Sequence, residues 1–150
     1  MTRSPRETGT KRRLDPLSVS ERSQQMALVR SRDTAPERAV RKMLFRMGYR
    51  YRLHSAGIPG RPDIVLRKHR TVIFVHGCFW HRHPGCARTR TPKTRVSFWT
   101  EKFAQNVARD RIVRTMLRRE GWRVLVVWEC ISENASLLER RLRGFLETTA

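Results

Sequence analysis

No stretch of the 150-residue sequence approaches the roughly 18 apolar residues that a membrane-spanning helix needs. The opening residues, MTRSPRETGTKRR, hold no apolar core of the kind a secretory signal carries. The expectation is a soluble, intracellular protein. Acidic side chains are scarce: 13 Asp and Glu stand against 33 Lys and Arg, for a formal net charge of +20. The excess is spread along the chain, which favours a polyanionic partner, nucleic acid above all. Lysine is scarce too. Beyond Lys11, Lys42, Lys68, Lys93 and Lys102 the basic residues are arginine, which suits bidentate phosphate and guanine contacts. Genomic base composition would produce the same bias. Cysteine is limited to Cys78, Cys86 and Cys130, an odd count that argues against a disulfide framework and leaves metal binding, reactivity or plain burial.

A chain of this length makes about one domain. Residues 1–19, rich in Arg, Ser, Thr and Pro, read as a disordered basic arm, and residues 20–150 as a single domain. A helical stretch around SERSQQMALVRSR precedes a second helix in TAPERAVRKMLFRMG. There Thr34 and Glu37 have capping-box spacing, Pro36 suits the first turn, Val40, Met43, Leu44 and Met47 recur at helical spacing, and Gly48 can end the helix. YRYRLH has strand composition. DIVLR and TVIFVH, separated by the basic turn KHR, read as a central hairpin. A long helix from Ser97 to about Arg119, with Val113, Met116 and Leu117 as its packing edge, is followed by the buried strand WRVLVVWE and an amphipathic helix from Ser136 to about Thr148. The expected class is α/β, a mixed sheet with helices on both faces.

The segment HGCFWHRHPGC concentrates the chemistry. Cys78, His83 and Cys86 are zinc-type ligands around a Pro-Gly bend, and Cys130, beyond VLVVWE, is the remaining cysteine to complete a tetrahedral Cys₃His set. Such a closed site is structural. The alternative is buried free thiols beside an incidental histidine. His76 and His81 stay outside that set. If the hairpin turns at Lys68 to Arg70, Asp63 comes beside the carbonyl of Val75 and the ring of His76, and a carboxylate with a main-chain carbonyl suits Mg²⁺. Imidazoles beside such a metal can move protons for hydrolysis. Equally, Asp63 can be a turn residue and the histidines solvent-exposed.

Together GRPDIV, VIFVHGCFWHRHPGC, FWTEKFAQNVARD and WRVLVVWEC resemble the very-short-patch-repair (Vsr) family of DNA mismatch endonucleases, from about Met26 to Ile131. The resemblance implies a restriction-endonuclease-like α/β fold, catalytic Mg²⁺, a structural zinc, and nicking of one strand on the 5′ side of the thymine in a T:G mismatch. It implies Asp63 as the metal-binding carboxylate, Val75 as carbonyl ligand, and Glu37 as an acidic residue holding water at the metal. His76 and His81 become the catalytic imidazoles, His81 the base that activates water, and Cys78, His83, Cys86 and Cys130 the zinc ligands.

Phe79 and Trp80, in the metal-anchored loop, read either as core packing or as wedges entering a base step, which costs less beside a mismatch. The resemblance assigns intercalation to Phe79, Trp80 and Trp99. Lys102, Asn106, Arg109 and Asp110 share a helix face, either a solvated face or one turned toward a groove, and the resemblance sets Met26, Lys102 and Asn106 near the mismatch. Trp122, Trp128 and Glu129 read as structural. Two departures from the family pattern are Val75, where threonine also occurs, and one extra residue between His83 and Cys86 relative to some relatives. The E-x-K signature of restriction-like nucleases is absent from TVIFVHG, as in the family. The resemblance further implies a bacterial cytoplasmic, nucleoid-associated monomer, linked functionally to a cytosine-5 methyltransferase. Two rival readings are a zinc-containing DNA-binding module without catalysis and a restriction-type nuclease that cuts matched duplex.

Overall fold

The computed structural model describes residues 32–148. The basic arm expected over residues 1–19, the helical stretch around SERSQQMALVRSR except its last residue, and Met26 lie outside the described residues. The first described helix, α1 (Ala35–Arg46), starts where the Thr34 hydroxyl accepts the N–H of Glu37 at 3.3 Å, with Pro36 in the first turn. The return half of the expected capping box is displaced by one residue: the Glu37 carboxylate accepts from the N–H of Asp33, at 3.1 Å, rather than from Thr34. Val40, Met43 and Leu44 are buried, and Gly48, at φ +90°, follows the helix end.

YRYRLH supplies only two strand residues, β1 (Arg52–Leu53), both exposed. Tyr49 and Tyr51 pack against the core instead, and His54, at φ 45°, follows directly on the short ladder. The hairpin forms as expected from β2 (Ile64–Leu66) and β3 (Thr71–His76), joined by a 3₁₀ turn over Arg67–His69 and closed by Arg70 in the left-handed region. β4 (Arg123–Trp128) lies parallel to β3, from Thr71 opposite Arg123 to His76 opposite Trp128, and the sheet order is β1-β2-β3-β4. Parallel neighbours need a long crossover. The 24-residue helix α2 (Val96–Arg119) lies in it. The short α3 (Glu129–Ser132) and α4 (Ala135–Leu146) follow, the latter capped by Asn134 and ending two residues short of Thr148.

Side chains alternate between the sheet faces. Ile64, Leu66, Ile73, Leu125 and Val127 meet Val40 and Leu44 of α1 and Leu138 and Leu142 of α4 on one face. Val65, Val72, Phe74 and Val124 meet Leu117 of α2 on the other. Emptying a fully buried position such as Leu44 to alanine costs about 3 kcal/mol. Met116 does not belong to the packing edge of α2: it is 44% exposed, and Val113 and Leu117, one turn apart on a single row, make the contact. The carboxyl ends of β3 and β4 and the amino end of β2 meet at one end of the sheet, bringing Asp63, His76 and Trp128 there. Ligands in open α/β sheets typically lie beyond the carboxyl ends of parallel strands. Among the described residues no helix is long and apolar enough to cross a membrane.

Candidate active site and metal centre

Beyond β3 the chain runs through a series of tight turns. The N–H of His81 donates to the Gly77 carbonyl at 3.1 Å, that of His83 to Cys78 at 3.0 Å, and that of Cys86 to His83 at 3.3 Å. This winding gathers Cys78, His83 and Cys86, and the first turn of α3 adds Cys130, so that all four candidate ligand atoms lie within 4.8 Å of one another. His83 Nδ1 is 3.6 Å from the sulfur of Cys78 and 3.4 Å from that of Cys130. Tetrahedral zinc with ordinary Zn–S and Zn–N bonds sets S···N at about 3.6 Å. The donor set fits that ion in type, number and spacing. Burial raises the Cys78 thiol well above its ordinary range, whereas the N–H of Arg88 lowers that of Cys86. A cation at the centre would hold both as thiolates.

Next to this cluster the imidazoles of His76 and His81 stack at 3.9 Å and 10°. His81 Nδ1 lies 2.7 Å from Oδ2 of Asp110, one side chain from the loop and the other from the middle of α2. With Nδ1–H donating to the carboxylate, Nε2 of a neutral His81 is free to take a proton. Although burial opposes it, the hydrogen bond from His81 holds the Asp110 carboxyl below its ordinary value. His76 is only 7% exposed; burial, then the neighbouring His81, pushes its pKa down to about 3, so it stays neutral at working pH.

Asp63 lies outside both of these clusters. Its Oδ2 accepts the N–H of Val75 at 2.7 Å, which locks the head of β2 to the end of β3. In an extended strand a residue's N–H and C=O point to the same edge, so the Val75 carbonyl faces the Asp63 side. Burial pushes the Asp63 carboxyl up to about 6 despite that hydrogen bond, and the charge of Glu37 pushes the same way. Glu37 is itself 4% exposed. Half-buried Asp63, buried Glu37, whose carboxylate lies 3.7 Å from the Arg41 guanidinium, and the main-chain carbonyl of Val75 offer oxygen donors of the kind a hard divalent cation such as Mg²⁺ takes.

Phe79, Trp80 and Trp99 are half-buried and pack on one another and on buried Phe103, with ring centroids 5.1 to 5.8 Å apart. Arg82 braces them. Its guanidinium sits 4.0 Å from the centre of the Phe103 ring and donates to the Thr89 carbonyl at 2.7 Å. Asn106 donates to the Trp80 carbonyl at 3.3 Å, so its side chain is turned to the loop, while Lys102 and Arg109 are exposed.

Three residues of this site carry a different weight in the structure than in the sequence. Asp110, counted with the charged face of its helix, orients His81. Its i to i+4 spacing from Asn106 gave the face but not the partner. Glu129 accepts the N–H of Cys78 at 3.3 Å. Trp128 touches both His76 and His83. The motif W-E-C beside a zinc-type cysteine was the only sequence signal for the last two.

A family model described as DNA mismatch endonuclease Vsr matches residues 14–88. The type II nicking enzyme V.XorIIP of Xanthomonas oryzae pv. oryzae is 49% identical over 133 residues, 89% of this chain and 97% of its own. V.NmeAIP, a type II nicking enzyme of Neisseria meningitidis serogroup A, is 44% identical over 85% of this chain and 91% of its own. The DNA mismatch endonuclease Vsr of Escherichia coli is 48% identical over 109 residues, 73% of this chain and 69% of its own.

Proposed function

The chain belongs to the Vsr family of DNA mismatch endonucleases, and from that premise we propose that it nicks one DNA strand on the 5′ side of the thymine in T:G mismatches left by deamination of 5-methylcytosine. The nick starts a short resynthesis that restores cytosine, and it links the protein to a cytosine-5 methyltransferase acting at the same sequence. The observation that carries the reading is the His81–Asp110 pair stacked on buried His76. A binding module has no use for an imidazole whose tautomer is fixed by a carboxylate; a hydrolase does.

On this reading, water attacks the phosphorus in line, its proton passes to Nε2 of His81, and the P–O3′ bond breaks. The products are a 5′-phosphate and a 3′-hydroxyl, the leaving oxygen being protonated from solvent. Asp110 stabilises the imidazolium as it forms. Asp63 and the Val75 carbonyl would hold Mg²⁺, and Glu37 would order water beside it. When bound, the cation supplies Lewis-acid polarisation of the scissile phosphate. Cys78, His83, Cys86 and Cys130 hold zinc, which fixes the loop presenting His81, Phe79 and Trp80.

Phe79, Trp80 and Trp99 enter the base stack beside the mismatch, where unstacking costs least. Met26, Lys102 and Asn106 contact the DNA around it. A restriction-endonuclease-like fold, a basic arm over residues 1–19 on a single nuclease domain, and action as a monomer at the bacterial nucleoid complete the proposal.

The test is single-turnover nicking of end-labelled duplexes with Mg²⁺, comparing T:G mismatches in varied flanking sequences with matched T:A and C:G controls. A T:G-dependent nick that Asp63→Ala abolishes is the expected result. Equal cutting of matched duplex would make the protein a restriction-type nuclease, and tight binding without any cutting would make it a binding module.

A further inference from the structure

Three consecutive residues, Trp128 at the end of β4 and Glu129 and Cys130 in the first turn of α3, reach toward one loop. Cys130 joins the Cys/His cluster, Glu129 accepts the Cys78 N–H at 3.3 Å, and Trp128 lies between that cluster and the imidazole pair. The Trp128 ring stacks on His83 at 4.3 Å and 12°, and meets His76 edge-on at 5.5 Å and 70°. His76 in turn stacks on His81 at 3.9 Å. Four rings thus form one contact series from a candidate zinc ligand to the proton acceptor.

The backbone fixes the middle of this series. His76 and Trp128 are register partners in the parallel β3·β4 ladder, so their side chains leave the same face at neighbouring positions. A two-ring side chain is what spans the distance to both histidines at once.

We infer that Trp128 is a positioning residue: by stacking on His83 and abutting His76, it holds the imidazole pair at the angle set by the metal-anchored loop. The inference rests on the reading of His81 as proton acceptor and of the Cys/His cluster as a zinc site. Trp128 touches neither DNA nor a reacting atom in this role. It transmits the rigidity of one centre to the geometry of the other, which rests on correct orientation to within fractions of an ångström.

The experiment compares zinc-loaded wild-type protein with Trp128→Leu, Trp128→Phe and, as a control at the other end of β4, Trp122→Leu. Four quantities are measured: zinc per chain, affinity for a T:G duplex, single-turnover nicking with Mg²⁺, and the ¹H–¹⁵N imidazole signals of His76 and His81. The expected result for Trp128→Leu is retained zinc, duplex affinity unchanged, displaced His76 and His81 signals, and a nicking rate about 100-fold lower. Trp128→Phe recovers part of both the rate and the signals, and Trp122→Leu changes neither.

Unmoved imidazole signals with a near-wild-type rate overturn the inference. So do signal changes that occur only together with zinc loss in both Trp128 variants, because Trp128 would then merely stabilise the loop. If the wild-type protein does not nick T:G duplex, the proposed function fails while the imidazole signals still decide the role of Trp128.

Discussion

Nδ1 of His81 and Oδ2 of Asp110 meet at 2.7 Å across 29 residues of sequence, one on a loop after β3 and the other in mid-helix. The pair makes the crossover helix part of the candidate site as well as a cover for the sheet. Asp110→Asn should therefore lower the single-turnover rate by about 100-fold or more with little change in duplex affinity. His81→Ala should cost a similar factor, and the double variant scarcely more than either single one, because the two act as a unit. Additive losses in rapid-quench measurements would mean that Asp110 acts elsewhere.

If zinc fills the Cys/His cluster, its removal should loosen the loop from Gly77 to Thr89, because the cluster ties Cys78, His83 and Cys86 to Cys130 of α3. Treatment with a zinc-selective chelator, or Cys130→Ser, is expected to lower the melting temperature by roughly 10 °C. T:G binding and nicking should fall together, since the aromatic rings and His81 share that loop. Zinc, but not Mg²⁺, should restore all three, as followed by thermal melts and metal analysis. An unchanged melt after chelation would exclude a structural metal.

The Asp63 carboxyl, raised from 3.8 to about 6, makes a pH-dependent statement about stability. A folded-state pKa above the unfolded one means a contribution that is full below about 3.8 and is lost as pH rises through about 6. In Mg²⁺-free buffer with zinc retained, Asp63→Asn should thus raise the melting temperature by a few degrees at pH 7.5. The gain should shrink toward pH 4, where the wild-type carboxyl is protonated. Nicking should be lost at every pH. A variant less stable than wild type at pH 7.5 would contradict the burial cost.

Gly60 sits at φ +75°, and a Cβ there would lie 2.2 Å from Cγ1 of Val113 on α2. Gly60→Ala is expected to destabilise the protein by about 2 kcal/mol in urea unfolding, from the backbone conformation and the collision together. Adding Val113→Ala should relieve the collision and leave the backbone part. A neutral Gly60→Ala would mean that the GRP turn adapts freely, and with it the placement of Asp63 three residues on.

Local rules carried most of the secondary structure. Thr34, Pro36 and Gly48 bounded α1, and KHR marked the hairpin turn, because caps and turns depend on near neighbours. The edge strand was overread: YRYRLH has the right composition, but Tyr49 and Tyr51 gain more by packing on the core than by extending an exposed ladder. Met116 was misassigned because a helix with few apolar residues leaves the direction of its buried stripe ambiguous at the level of one residue. The four metal-type ligands were legible since ligand chemistry restricts them to a few residue types. Asp110 and Trp128 were not, because their roles lie in contacts across 29 and 52 residues that only the α2 crossover and the β3·β4 register create.

That parallel pairing has a consequence during synthesis. The ribosome delivers Asp63, His76 and His81 well before Asp110, and Trp128 and Cys130 later still. Non-local pairings of this kind form only once both partners have left the exit tunnel. An incomplete chain therefore carries His76 and His81 without the carboxylate that meets His81 or the strand that pairs with β3, so the candidate site closes only when the last third of the chain has emerged.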